Sequence, residues 1–162
     1  MKRKAGFDPV VDPGTRLLIL GSLPGDASLR AAQYYGHPRN AFWRLVGGII
    51  GRDLAALPYE ERLAALKAAG VGLWDVIASA ERPGSLDAAI RRPDAADLRG
   101  LVADLPQLRA VAFNGGTAAK LGRAILADSG VALIDLPSSS PAHARPIESK
   151  AAAWAALAPW LR

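Results

Sequence analysis

Four short apolar runs divide the chain: "RLLILG" (Arg16 to Gly21), "VGLWDVI" (Val71 to Ile77), "LRAVAFNG" (Leu108 to Gly115) and "VALIDL" (Val131 to Leu136). None alternates strictly, and each stops at Gly, Asp, Asn or Pro, the pattern of strands covered on both faces. Helical spacing fills the intervals. Asn40 can cap a helix running through Phe42, Leu45, Val46, Ile49 and Ile50, and "PYEERLAALKAAG" has Pro58 and acids at its start and Gly70 as a stop. Further helices are predicted over Leu98 to Leu105, Thr117 to Leu126 and Ile147 to Leu157. Strand, loop and helix recur in order, so the expected fold class is α/β: a three-layer α/β/α arrangement around a central, mainly parallel four-stranded sheet. Residues 1–15, with Lys2, Arg3, Lys4, Pro9 and Pro13, read as a basic solvated arm ahead of one domain over 16–162. Residues 79–96 read as a charged connection with a short helix around Asp87 to Ile90.

The polar clusters fall after the strands. "GSLPG" and "QYYGHPRN" follow the first, "NGG" the third and "PSSSPAHA" the fourth. Open α/β sheets gather ligands at the C-terminal strand ends, so these clusters are expected to share one cleft.

Composition narrows the classes. With 162 residues and 51% hydrophobic content, the chain can build one substantial core. It has no cysteine, which removes disulfides, a thiolate nucleophile and cysteine-based metal sites. No run of about 18 uncharged apolar residues appears, which argues against a membrane-spanning helix, and the basic start makes a poor signal peptide. Those features fit the cytoplasm. Twenty Lys and Arg against fifteen Asp and Glu give a net charge of +5, which suits a polyanionic partner and equally suits solubility. No metal or other cofactor is expected: His37 and His143 are the only histidines, and no acidic cluster stands beside them.

Individual residues carry two readings each. Gly21, Ser22, Leu23, Pro24 and Gly25 can bring backbone amides close to a ligand or simply form a tight turn. Asn40 can orient water or cap its helix; Tyr35 can stack on a planar ligand or pack in the core. His37 and Arg39 can contact phosphate or solvent. Phe42 and Trp43 belong mostly to packing. Asn114 offers donor and acceptor to a base edge at the cleft floor, or is an ordinary amide at a strand end. Ser138, Ser139, Ser140, Pro141, Ala142 and Arg145 form a stiff, hydroxyl-rich loop suited to phosphates and a groove, and His143 can stabilise negative charge. Asp75 is a polar strand end close to the same cleft. Serine hydrolysis is weak because no G-x-S-x-G elbow is present.

Two of these stretches, "LILGSLPGDASLRAAQYYGHPRNAFWRLV" and "DLPSSSPAHA", resemble the two active-site regions of the uracil-DNA glycosylase superfamily, with "AVAFNGG" between them. The similarity runs from about residue 15 to about 158 and is nearest the hypoxanthine-DNA, or DNA-deoxyinosine, branch. The resemblance implies a uracil-DNA glycosylase-like fold and Asn40 as the catalytic asparagine. It makes Asn114 a base-reading or supporting catalytic residue, with Tyr35 and Phe42 against the base and Ser138 to His143 on the DNA backbone. Other branches carry Asp or Asn just before the proline of the first loop to position water. Leu23 stands there in this chain and cannot do so.

The function implied is a monofunctional glycosylase acting on DNA that holds a deaminated base, most plausibly hypoxanthine, as a monomer. Uracil in mismatched or single-stranded DNA is the alternative substrate. A nucleic-acid-binding domain without catalysis is the reading from another class.

Overall fold

A computed structural model of the chain describes residues 2–162. Four parallel strands form the main sheet: β2 (Leu17–Gly21), β3 (Val71–Asp75), β6 (Ala110–Asn114) and β7 (Ala132–Leu136), in the order β3-β2-β6-β7. Every residue of the two central strands is buried, which is why they read as continuous apolar runs. Side chains alternate across such a strand, and the packing splits accordingly. Leu17 and Ile19 meet Phe42, Leu66 and Trp154 on one face; Leu18, Leu20 and Phe113 meet Leu98, Ala118 and Leu126 on the other.

Helices α2 (Phe42–Ile50), α3 (Tyr59–Ala68) and α6 (Ile147–Trp154) contribute to the first face. Helices α4 (Leu98–Ala103) and α5 (Gly116–Leu126) supply the second. The three-layer α/β/α expectation therefore holds. A six-residue helix, α1 (Asp26–Ala31), lies in the loop after β2. The last predicted helix stops as α-helix at Trp154 and continues as a 3-10 helix over Ala155–Leu161, where Pro159 lacks an N–H to donate.

Two expectations are corrected. The N-terminal arm is not free in solvent: β1 (Arg3–Ala5) pairs antiparallel with β4 (Ile77–Glu81), Val10 bridges to Leu73, and Thr15 is buried. The charged connection contains β4 and β5 (Arg91–Ala95), which complete a second sheet in the order β1-β4-β5. All of β5 is exposed and it holds Pro93, so neither hydrophobic alternation nor strand propensity marks it.

The core admits no extra atoms between α5 and the sheet. A Cβ at Gly122 would come within 2.3 Å of the Phe113 ring, whereas one at Gly48, exposed on α2, would meet nothing within 4 Å. Gly122→Val is therefore expected to lose about 2 kcal/mol by overpacking. Gly48→Ala gains up to about 1 kcal/mol of helix propensity. Urea unfolding of both variants checks the opposite signs; equal shifts would contradict this packing.

Candidate active site

The C-terminal strand ends open into one cleft of about 420 Å³. Gly21 ends β2, Asp75 ends β3, Asn114 ends β6, and the loop after β7 closes the far side. The predicted Gly21, Ser22, Leu23, Pro24, Gly25, Tyr35, His37, Asn40, Asn114, Ser138, Ser139, Ser140, Pro141, Ala142 and His143 all line it. Phe42, Arg39 and Arg145 do not.

Phe42 is fully buried and sits behind Tyr35, the two rings stacked at 3.9 Å with an interplanar angle of 12°. Its assignment to the base is corrected: as the first residue of α2 it also packs edge-on against Trp43 and Trp154. Tyr35 thus reaches the cleft with one ring face already covered. Its backbone is in the left-handed region (φ 53°), a strained state for a tyrosine, and Trp43 Nε1 donates to its carbonyl at 3.2 Å. Arg39 and Arg145 are exposed outside the cleft, and Arg145 donates to Ser149 within its own segment.

Asn40 lies one step outside α2, which begins after Ala41. The expected N-cap role is corrected: Ala41 takes that position with no side-chain cap, while Asn40 Oδ1 accepts the Phe42 N–H at 3.0 Å in a local turn ahead of the helix and the side chain lines the cleft. Among the described residues its Nδ2 has no partner. His37 Nδ1 accepts the Arg39 N–H at 3.1 Å, which leaves the ring proton of a neutral imidazole on Nε2.

Asn114 is mostly spent on one neighbour. Its Nδ2 donates to Ser139 Oγ at 2.9 Å, and its Oδ1 accepts the Ser139 N–H at 2.8 Å. Ser139 in turn accepts the Ala41 N–H at 3.0 Å through its carbonyl. The DNA-facing assignment of Ser139 is thereby corrected: it is 1% exposed and joins three walls of the cleft. Ser138 and Ser140 are half-buried on the cleft, and their hydroxyls accept the N–H groups of Ser140 and Ala142 in local turns.

Asp75 is the residue that sequence reasoning undervalued. It is buried in the cleft wall, its Oδ2 has no hydrogen-bond partner among the described residues, and burial pushes its carboxyl up to about 7. The negative charge of Asp87 adds to that rise and Arg82 opposes it. The neighbouring Tyr35 hydroxyl is likewise buried without a hydrogen bond of normal geometry; desolvation, then Asp75, holds its phenol above the usual range, and the nearby Asn114 side chain opposes that rise. The sequence marked Asp75 only as a polar strand end close to the cleft. Ser85, Leu86 and Asp87 also line the cleft, from a hairpin with no advance signal.

No group of three His, Cys, Asp or Glu that could hold a metal occurs among the described residues, and no helix there is long and apolar enough to cross a membrane.

A parallel sheet in the order β3-β2-β6-β7, with polar loops converging at its strand ends, defines the class, and the chain belongs to the uracil DNA glycosylase superfamily, which it matches over residues 9–161. It is 45% identical over 153 residues to a hypoxanthine DNA glycosylase of Methanosarcina barkeri, covering 94% of this chain and 96% of that protein. A hypoxanthine DNA glycosylase of Methanosarcina acetivorans is 44% identical over 154 residues, covering 95% and 97%. The fold superposes with a TM-score of 0.90 and 42% identity on a solution NMR structure of a Methanosarcina acetivorans protein assigned as a uracil DNA glycosylase, covering 99% of both chains.

The buried carboxyl has a thermodynamic consequence. With a folded value near 7 and an unfolded one near 3.8, the native state holds a proton that the unfolded chain releases between them. Its contribution to stability is complete below about 3.8 and is lost as pH rises through about 7. Asp75→Asn carries no such titration. Its stability relative to wild type should grow by up to about 4 kcal/mol from about pH 4 to about pH 8 in urea melts. A difference independent of pH would contradict the burial argument.

Proposed function

We propose that the protein is a monofunctional DNA glycosylase that hydrolyses the bond between deoxyribose C1′ and the base of a flipped-out deoxyinosine, working as a monomer. The similar Methanosarcina proteins are named hypoxanthine DNA glycosylases, and a cytoplasmic location is part of the proposal.

The observation that carries the reading is Asn40. The Phe42 N–H holds its Oδ1 in place on the cleft wall, leaving a second lone pair that can accept a hydrogen from water. Leu23, at the other loop, lines the same cleft with no polar atom in its side chain. As the bond to the base breaks, its electron pair leaves with the base and positive charge builds on the sugar. The water oriented by Asn40 adds to C1′, and its proton passes to solvent. An amide is a poor base at neutral pH, so positioning rather than proton abstraction is its contribution.

Burial raises the Asp75 carboxyl to about 7, so its neutral form is accessible near neutral pH. A protonated Asp75 offers an O–H donor and a carbonyl acceptor side by side, complementary to the O6 acceptor and N1–H donor of hypoxanthine. Asn114, spent on Ser139, acts mainly by positioning the loop and keeps one N–H for the base. His37 Nε2–H and His143 stand on the same cleft to meet negative charge on the departing purine. No lysine lines the cleft among the described residues, which supports hydrolysis without a Schiff base. Ser138, Ser140 and the loop amides, with Arg39 and Arg145 farther out, would meet phosphates.

Duplexes bearing deoxyinosine, deoxyuridine or no lesion test the reading with wild type and Asn40→Ala. Wild type should give strand scission at deoxyinosine only after alkali, and Asn40→Ala should be slower by roughly 10²- to 10³-fold. An intact deoxyinosine strand would overturn the activity, scission without alkali its monofunctional character, and an unslowed variant the role of Asn40. Preferential cleavage at deoxyuridine would transfer the reading to uracil.

A further inference from the structure

Breaking the bond to the base leaves positive charge on the sugar, and Asn40, a neutral amide, can orient water there without balancing that charge. Two carboxyl groups line the cleft, Asp75 and Asp87. Asp75 is buried in the wall, where desolvation favours its neutral form. Asp87 is exposed, on the hairpin between β4 and β5.

The place of Asp87 in the cleft is fixed from two sides. Ser22 Oγ, in the residue after β2, donates to Asp87 Oδ1 at 2.7 Å. The hairpin behind it is braced as well. The buried Arg82 guanidinium donates to the carbonyls of Leu23, Pro24 and Gly84 at 3.3, 2.6 and 2.8 Å. Lys4 Nζ donates to Gly84 O at 2.8 Å, and Ser85 Oγ accepts the Asp26 N–H at 2.9 Å. Both of these cations face Asp26 instead of Asp87, Lys4 at 2.6 Å and Arg82 at 4.0 Å. Among the described residues Asp87 forms no ion pair, and its Oδ2 has no partner.

A held but unneutralised carboxylate works against the binding of DNA, since a negative charge on the receiving surface repels phosphates. Such a charge has a use where positive charge develops later. Only an interaction stronger in the transition state than in the ground state speeds a reaction. With the base against Asp75 at the cleft floor, the sugar lies toward the mouth, where the hairpin holds Asp87. We propose that the Asp87 carboxylate faces the deoxyribose of the extruded nucleotide and stabilises the positive charge that develops on it as the base departs. This rests on the glycosylase reading above. No bond forms to Asp87: water still adds to C1′, placed by Asn40, while Asp87 supplies charge. Ser22 is then a positioning residue for that carboxylate.

Asp87→Asn keeps the shape and the acceptor for Ser22 and removes only the charge. With enzyme in saturating excess, its single-turnover rate at deoxyinosine is expected to fall by about tenfold, while affinity for an intact duplex holds or rises. An unchanged rate, or a loss confined to affinity, would overturn the proposal. The negative charge of Asp87 also helps raise the Asp75 carboxyl, so the variant lets Asp75 ionise at lower pH. Lowering the pH from above to well below about 7 returns the proton to Asp75. The slower rate should persist there; recovery would make Asp87 act through Asp75 and not on the sugar.

A readout without turnover separates this proposal from the activity itself. A duplex with a pyrrolidine in place of one deoxyribose carries a cation where the sugar charge would form, and one with a tetrahydrofuran is neutral at that place. Wild type should bind the first about tenfold more tightly, and Asp87→Asn should lose that preference while Asp75→Asn keeps it. No preference in wild type, or one that Asp87→Asn leaves intact, would contradict the placement of Asp87 at the sugar. If neither deoxyinosine nor deoxyuridine is cleaved, the glycosylase reading fails, and the pyrrolidine comparison still decides where Asp87 acts.

Discussion

The paired hydrogen bonds between the Asn114 side chain and Ser139 set the shape of the cleft. Asn114 is buried at the end of a central strand, where an unmatched amide would carry a desolvation cost of about 1–3 kcal/mol. Ser139 satisfies both of its ends, and the Ser139 carbonyl takes the Ala41 N–H just ahead of α2. One buried serine thereby couples the sheet, the serine-rich loop and the segment bearing Asn40. Around it the loop is tied down again, since Trp154 Nε1 donates to Pro137 O at 2.9 Å and Lys150 Nζ to Ser140 O at 3.3 Å. The water-positioning role proposed for Asn40 would need a reproducible distance to the sugar, and this network ties the segment that bears Asn40 to the core.

Where burial was two-sided, the chain was readable. The two central strands of the main sheet are continuous apolar runs because both their faces are covered, the edge strand β7 is only partly buried, and the helices between the strands follow from spacing and stop signals. The second sheet was not readable for the converse reason. Its β5 is wholly exposed and its β1 is only three residues long, two of them charged, so backbone pairing forms them without a hydrophobic pattern. Convergence of the polar loops followed from topology alone. The roles within the cleft did not, because they depend on partners distant in the chain: Phe42 and Tyr35 look alike as aromatic residues until one is found behind the other, and Asn114 and Asn40 look alike as amides until Ser139 is found to occupy the first.

The charge distribution separates affinity from recognition. The net charge is +5, yet the carboxyl groups of Asp75 and Asp87 and no basic side chain other than histidine lie along the cleft among the described residues. Exposed arginines outside it can meet phosphates in high dielectric, where their attraction is screened by salt and insensitive to sequence. Inside, on the proposed reading, the protonated form of Asp75, accessible near neutral pH because burial raises its carboxyl, would present dipoles rather than charge, and selection of a neutral base would rest on the pairing of donors with acceptors.

Glycine at the end of β2 makes that recognition geometry possible. The amides of "GSLPG" suggest phosphate binding when read as sequence, but the contacts of Gly21 indicate a different constraint. A Cβ there would approach Asp75 Oδ1 to 2.6 Å and the Tyr35 hydroxyl oxygen to 3.2 Å. Its φ is not in the left-handed region, so conformational freedom is not what the position requires. What it requires is the absence of a side chain, which lets a carboxyl and a phenol settle against the backbone at the cleft floor. Both groups lose water there without a hydrogen bond of normal geometry in return, and each would favour a bound base that returns the missing hydrogen bonds. On the proposed reading, the free energy withheld from folding at Asp75 and Tyr35 would become available to binding, and a ligand edge that matches both would recover it.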